Sequence, residues 1–106
     1  MSLDIWLTLD GETVFSDNYT HNLGRMADVA GIYGCIWRPE EQGFGQAGEL
    51  IPHLEQGLTF MVLNSEKCKE LNPPNGWGSY NSFLLWVVEY LEACRKYPEA
   101  RVEVSR

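Results

Sequence analysis

Positive charge is the scarcest resource of this sequence: eight lysines and arginines stand against 15 aspartates and glutamates, a formal net charge of −7. The basic footprint that direct nucleic-acid binding requires is missing. Long apolar runs are missing too. None reaches the ~18 residues that suggest a membrane span, and no basic segment followed by an apolar stretch marks a signal peptide, so a cytoplasmic protein is expected. Cysteine is sparse: Cys35, Cys68 and Cys94 form no CxxC pair and no even disulfide set. Buried reduced thiols are the expectation, because free cysteine behaves as a small hydrophobe. With two histidines 32 residues apart, no HEXXH pattern and no clustered cysteines, no zinc site is expected. The glycines around Phe44 are followed by no lysine-serine pair, which excludes a phosphate-binding loop. No cofactor is expected.

What remains is enough for one core. At 106 residues, 44% hydrophobic and 22% charged, residues 1–106 read as a single soluble domain. The acidity is uneven: residues 1–43 carry seven acidic and two basic groups, whereas residues 79–106 carry four of each. An acidic first half keeps a protein soluble, meets a basic partner surface or imitates nucleic acid.

Leu3, Ile5, Leu7 and Leu9 alternate with Asp4, Trp6, Thr8 and Asp10, the period of a strand buried on one face. Asp10-Gly11 favours a tight turn, with Thr13 to Phe15 as a short returning strand. Val102 and Val104 alternate with Arg101, Glu103 and Ser105, which predicts a closing strand. Between these ends the period becomes helical. Leu23, Met26, Ala27, Ala30, Tyr33 and Trp37 make one stripe, broken near Gly31 and Gly34, with Thr20 or Asn22 as its cap. Leu50, Leu54, Leu58, Met61 and Val62 make a second, in which Gly57 needs close packing to offset its helix cost. Ser65 to Leu71 gives a short polar helix. Ser79 caps the last helix, lined by Phe83, Val87, Tyr90, Leu91 and Cys94, widened by Leu84, Leu85, Trp86 and Val88, and stopped by Pro98. The fold class is therefore α+β: a small antiparallel sheet of the terminal strands packed against three or four helices.

Three segments stand out chemically. Asn72-Pro-Pro-Asn-Gly-Trp-Gly-Ser-Tyr80 is a stiff loop that holds Trp77 in a set orientation. Its indole either plugs a gap between helices or forms an aromatic platform beside amide groups, suited to a planar ligand. In Thr20-His21-Asn22-Leu23-Gly24-Arg25-Met26-Ala27-Asp28, helical spacing puts His21, Arg25 and Asp28 on one solvent-facing stripe. Arg25 either pairs with Asp28 or serves as a fork for carboxylate or phosphate, with His21 as a neighbouring donor. Arg38 precedes Pro39, which leaves it at a helix end.

The elements THNLGRMADVAGIYGCIWRPEE, LIPHLEQGL, NPPNGWGSY and YLEACRKYPEARVEVSR resemble a family of small proteins encoded by bacteriophages and bacteria, over most of residues 20–106. The resemblance implies a phage-host context, accessory or anti-defence in kind, and no particular reaction. The leading expectation is a non-enzymatic protein that binds a small anionic planar ligand such as a nucleotide. His21, Asn22 and Asn75 would orient it, Arg25 and Arg38 neutralise it, and Trp77 or Tyr80 stack on it. The alternatives are an acidic inhibitor of a host protein and a small hydrolase using His21 as general base. A homodimer is expected from the aromatic content, four tryptophans and five tyrosines.

Overall fold

The computed structural model describes residues 2–106. Three strands, β1 (Ser2–Leu9), β2 (Glu12–Thr20) and β3 (Arg101–Ser105), form one antiparallel sheet in the order β2-β1-β3. The five α-helices are α1 (Gly24–Val29), α2 (Tyr33–Trp37), α3 (Ile51–Leu63), α4 (Ser65–Lys69) and α5 (Tyr80–Lys96), and short 3-10 turns precede α1 and α3 and follow α2. The α+β class and the pairing of the two ends of the sequence both hold.

The hairpin turns at Asp10-Gly11 because both residues take positive φ, 52° and 82°, which matches the right-handed twist of the flanking strands. β2 is much longer than Thr13 to Phe15. It is in register with β1 from Glu12 to Thr20, with an irregularity opposite Leu7/Thr8 that absorbs Val14. Pairing puts Phe15 and Tyr19 on the same face as Leu3, Ile5 and Leu7, which are fully buried.

Beneath that face lies α5. Ser79 caps it by accepting the Ser82 N–H, and Phe83, Val87, Tyr90, Leu91 and Cys94 are buried as their spacing predicts. Tyr19 packs 5.4 Å from both Phe83 and Trp86, and Phe15 stacks 6.1 Å from Tyr90, so α5 runs antiparallel to β2 directly below it. Of the residues expected to widen the helix's apolar surface, only Trp86 is buried; Leu85 and Val88 face outward and are 59% and 39% exposed. α3 crosses α5 in the opposite direction, fixed at one end by Arg95 with Glu55 and at the other by the Tyr80 hydroxyl donating to the Met61 carbonyl at 2.8 Å.

The two edges of the sheet differ. Along β3, Val102 N–H donates to Gly45 O, and Ala47 N–H just beyond donates to Ala100 O, so residues 45–47 cover that side at Arg101 and Val102. Along β2, no backbone segment pairs with the side turned away from β1 among the described residues.

All three cysteines are free and buried. Burial pushes the Cys35 and Cys94 thiols up to about 12, so neither is a nucleophile near neutral pH. No helix among the described residues is long and apolar enough to cross a membrane.

Candidate functional site

The end of β2 delivers Asn18, Tyr19 and Thr20 to one corner of the molecule, where the chain turns through a 3-10 turn, His21–Leu23, into α1. Thr20 makes that turn by accepting the Asn22 N–H at 3.2 Å. Across from it stands the loop between α4 and α5. Asn72 Oδ1 accepts the Tyr80 N–H at 2.7 Å and Asn75 Oδ1 accepts the Trp77 N–H at 3.0 Å, so two asparagines hold the loop's shape. Gly78, at φ +89°, brings the backbone so close that an added Cβ would lie 2.3 Å from Leu23 Cδ2 and 3.0 Å from Thr20 Cγ2. Backbone contact at Gly78 is what clamps the loop to the turn.

Between them opens a cleft of about 630 Å³ lined by Ser2, Asn18, Tyr19, Thr20, His21, Asn22 and Trp77. That volume lies within the ~300–1,000 Å³ range of small-molecule sites. Trp77 is 69% exposed, so its indole is no plug between helices. Its loop is fixed while its ring remains free to be covered.

His21 is oriented from inside. Trp37, 1% exposed, stacks on Tyr33 and donates its indole N–H to His21 Nδ1 at 2.9 Å. With Nδ1 accepting, the imidazole proton of the neutral ring sits on Nε2, which makes that nitrogen the donor. Sequence reasoning missed this pair because the two residues are 16 positions apart and lie on different elements.

The other expected site residues divide. A second hollow of about 380 Å³ is lined by Asn22, Arg25, Glu70, Leu71, Asn72, Asn75 and the two prolines, Pro73 and Pro74. Asn22 borders both hollows. Arg25 and Trp77 therefore occupy adjoining spaces rather than one, and Arg25 forms no ion pair with Asp28 or any other carboxylate among the described residues. His21 precedes α1 rather than lying in it, so the expected stripe of His21, Arg25 and Asp28 does not form. Arg38 lies apart, engaged at 2.7 Å by Glu41; Tyr33, and then Glu41, push its pKa above the ordinary arginine value. Tyr80 is 5% exposed and its hydroxyl is occupied by Met61, so it belongs to the core and lines neither hollow.

Among the described residues the cleft lining offers hydroxyls, carboxamides, one imidazole and one indole, and no carboxylate or thiol. No group of histidines, cysteines and carboxylates among the described residues is arranged to hold a metal. Comparison with protein-family models, curated proteins and solved structures gives no match for this chain.

Proposed function

We propose that the protein is a non-enzymatic binding protein for a small planar ligand with an anionic arm, a nucleotide being the chemistry that fits best. The observation that carries this reading is the exposed indole of Trp77, on a loop held by Asn72 and Asn75, bordering the same cleft as an oriented imidazole. A base stacks on the indole, and His21 Nε2 with the Asn18 and Asn22 carboxamides supply hydrogen bonds to its edge. Asn22 leads from that cleft to the hollow of Arg25, whose guanidinium receives the phosphate. Arg38 and Tyr80 take no part. The phage-host context, accessory or anti-defence in kind, belongs to this proposal and rests on the sequence elements alone.

Calorimetric titration with linear and cyclic nucleotides, each beside its nucleoside, tests it. Stacking on an aromatic side chain is worth about 1–3 kcal/mol per base, so Trp77→Ala weakens binding roughly 5- to 150-fold for nucleotide and nucleoside alike. Arg25→Ala weakens only the nucleotides. No heat and no thermal shift across the panel would overturn the reading.

Hydrolysis has less support. A general base must accept a proton, whereas His21 Nδ1 is engaged by Trp37 and the lining offers no thiol or carboxylate to partner Nε2. A second reading, an acidic inhibitor of a host protein, draws on the hairpin: Asp4, Asp10, Glu12 and Asp17 form no ion pair among the described residues, and residues 2–20 contain no lysine or arginine.

A further inference from the structure

We infer that the free edge of β2 is a docking strand for an extended basic segment of a partner protein, which adds to the sheet as a fourth strand. The inference rests on the second reading above for the sign of the partner's charge, and goes beyond it in naming the contact. β2 is nine residues long, about 30 Å at ~3.3 Å per residue. In an antiparallel ladder, every second residue of an edge strand turns its N–H and C=O away from its neighbour. Asn18 shows this directly, since its N–H donates to the Asp17 carboxylate at 2.8 Å.

Edge strands of such length are usually protected by lysine, proline or a covering segment. β3 is five residues long and residues 45–47 cover its first two, whereas the nine residues of β2, ETVFSDNYT, include no proline and no lysine and have no covering segment among the described residues. Among the described residues its guards are the irregularity at Val14 and the two charges Glu12 and Asp17, both negative. Beside the edge, a groove of about 570 Å³ runs between β2 and α5, lined by the apolar Val14, Phe15, Ala93 and Tyr97 together with Glu89 and Glu92. Arg95, also there, is already engaged by Glu55 and Glu92, and Lys96 lies over the Tyr97 ring. Pairing puts Glu12 and Asp17 on the same face as Phe15, so the side chains an added strand turns toward α5 meet the groove and these carboxylates together: a lysine there lays its methylene stem along the apolar lining and its ammonium beside Asp17 and Glu89.

The charge decides between occupants. Self-pairing of two β2 edges would bring eight hairpin carboxylates together with no lysine or arginine in residues 2–20 of either copy, and like charges facing across strands destabilise a sheet. A lysine- or arginine-bearing strand meets the same edge with opposite charge and supplies the missing backbone partners, the mode by which extended peptides augment sheets.

The probe is a synthetic octapeptide of alternating valine and lysine, titrated into the intact protein while amide hydrogen exchange is followed residue by residue. The expected result is new protection at outward-facing amides of Glu12–Thr20, binding that weakens steeply with salt, and loss of binding when alternate peptide amides are N-methylated. The valine-glutamate octapeptide should not bind, and Glu12→Lys with Asp17→Lys should weaken the lysine peptide at least about tenfold. If that variant fails to fold, the N-methylated peptide on the native protein still decides. Binding indifferent to N-methylation would overturn the docking strand and leave the acidic-surface reading standing. Absence of any lysine-peptide binding at low salt would overturn both. Concentration-dependent protection of β2 with a dimeric mass, in the absence of peptide, would overturn the choice of occupant in favour of a second copy.

Discussion

Gly76 and Gly78 form a natural experiment on what holds Trp77 in place. Both have positive φ, 76° and 89°, and both lie in the same loop. An L-residue there costs about 1–2 kcal/mol in backbone strain. At Gly76 that is the whole cost, because an added Cβ meets nothing within 4 Å. At Gly78 the Cβ would fall 2.3 Å from Leu23 Cδ2, and Leu23 is fully buried with nowhere to retreat. Overpacking of this kind adds about 1–3 kcal/mol. Gly76→Ala should therefore lose about 1–2 kcal/mol in urea denaturation and Gly78→Ala about 2–5 kcal/mol, unless the loop lifts off the turn to relieve the contact. Lifting is itself measurable: the emission of Trp77, isolated by difference against Trp77→Phe, would shift in Gly78→Ala and stay unchanged in Gly76→Ala. Equal losses for the two variants, with unchanged emission in both, would refute the view that close backbone approach at Gly78 clamps the loop.

Gly57→Ala should destabilise despite its better helix propensity, because the new Cβ would lie 2.2 Å from Ile32 Cγ2; Ile32→Leu, which removes that methyl, should recover part of the loss in a double-mutant cycle. The Glu49 carboxylate accepts the N–H groups of Gln46 and Gly45 at 2.8 and 2.9 Å, which hold its pKa below 4.5. A depressed folded pKa means stabilisation that is complete above about 4.5 and lost as pH falls through the folded value, so Glu49→Gln should flatten the acid limb of a pH-stability curve. Cys35 and Cys94, raised from 9.0 to about 12, bind protons in the folded state that the unfolded chain releases. Stability should therefore fall as pH rises from 9 towards 12, and a thiol-specific disulfide reagent at pH 8 should leave both unmodified until the protein is denatured.

Local periodicity made the main elements readable. Alternating leucines gave β1, Asp10-Gly11 its turn, and Ser79, Arg95 and Pro98 the limits of α5. β2 was underread because Ser16, Asp17 and Asn18 are poor strand formers; pairing with β1 overrides their propensity. A strand ending at Phe15 leaves Asn18 and Tyr19 out of the site, although Phe15, Asp17 and Tyr19 keep the two-residue period. Trp77 and His21 could be singled out because their neighbours are turn and cap residues with mechanical roles. Tyr80 could not be told from a ligand contact, since its burial depends on Met61 in another helix. Likewise, the separation of Arg25 from Trp77 arises from where Asn22 and the two prolines stand, which no spacing reveals.

Because β1 lies in the middle of the sheet, its two flanks are completed at very different times as the chain emerges from a ribosome. The hairpin partner follows within a few residues, but Asp4 meets Ser105 roughly a hundred residues later. Until then a strand of leucines and isoleucine has one raw side, and a nascent chain halted before Arg101 would be a target for chaperones. Truncation just ahead of β3 should thus yield aggregates rather than a smaller folded protein.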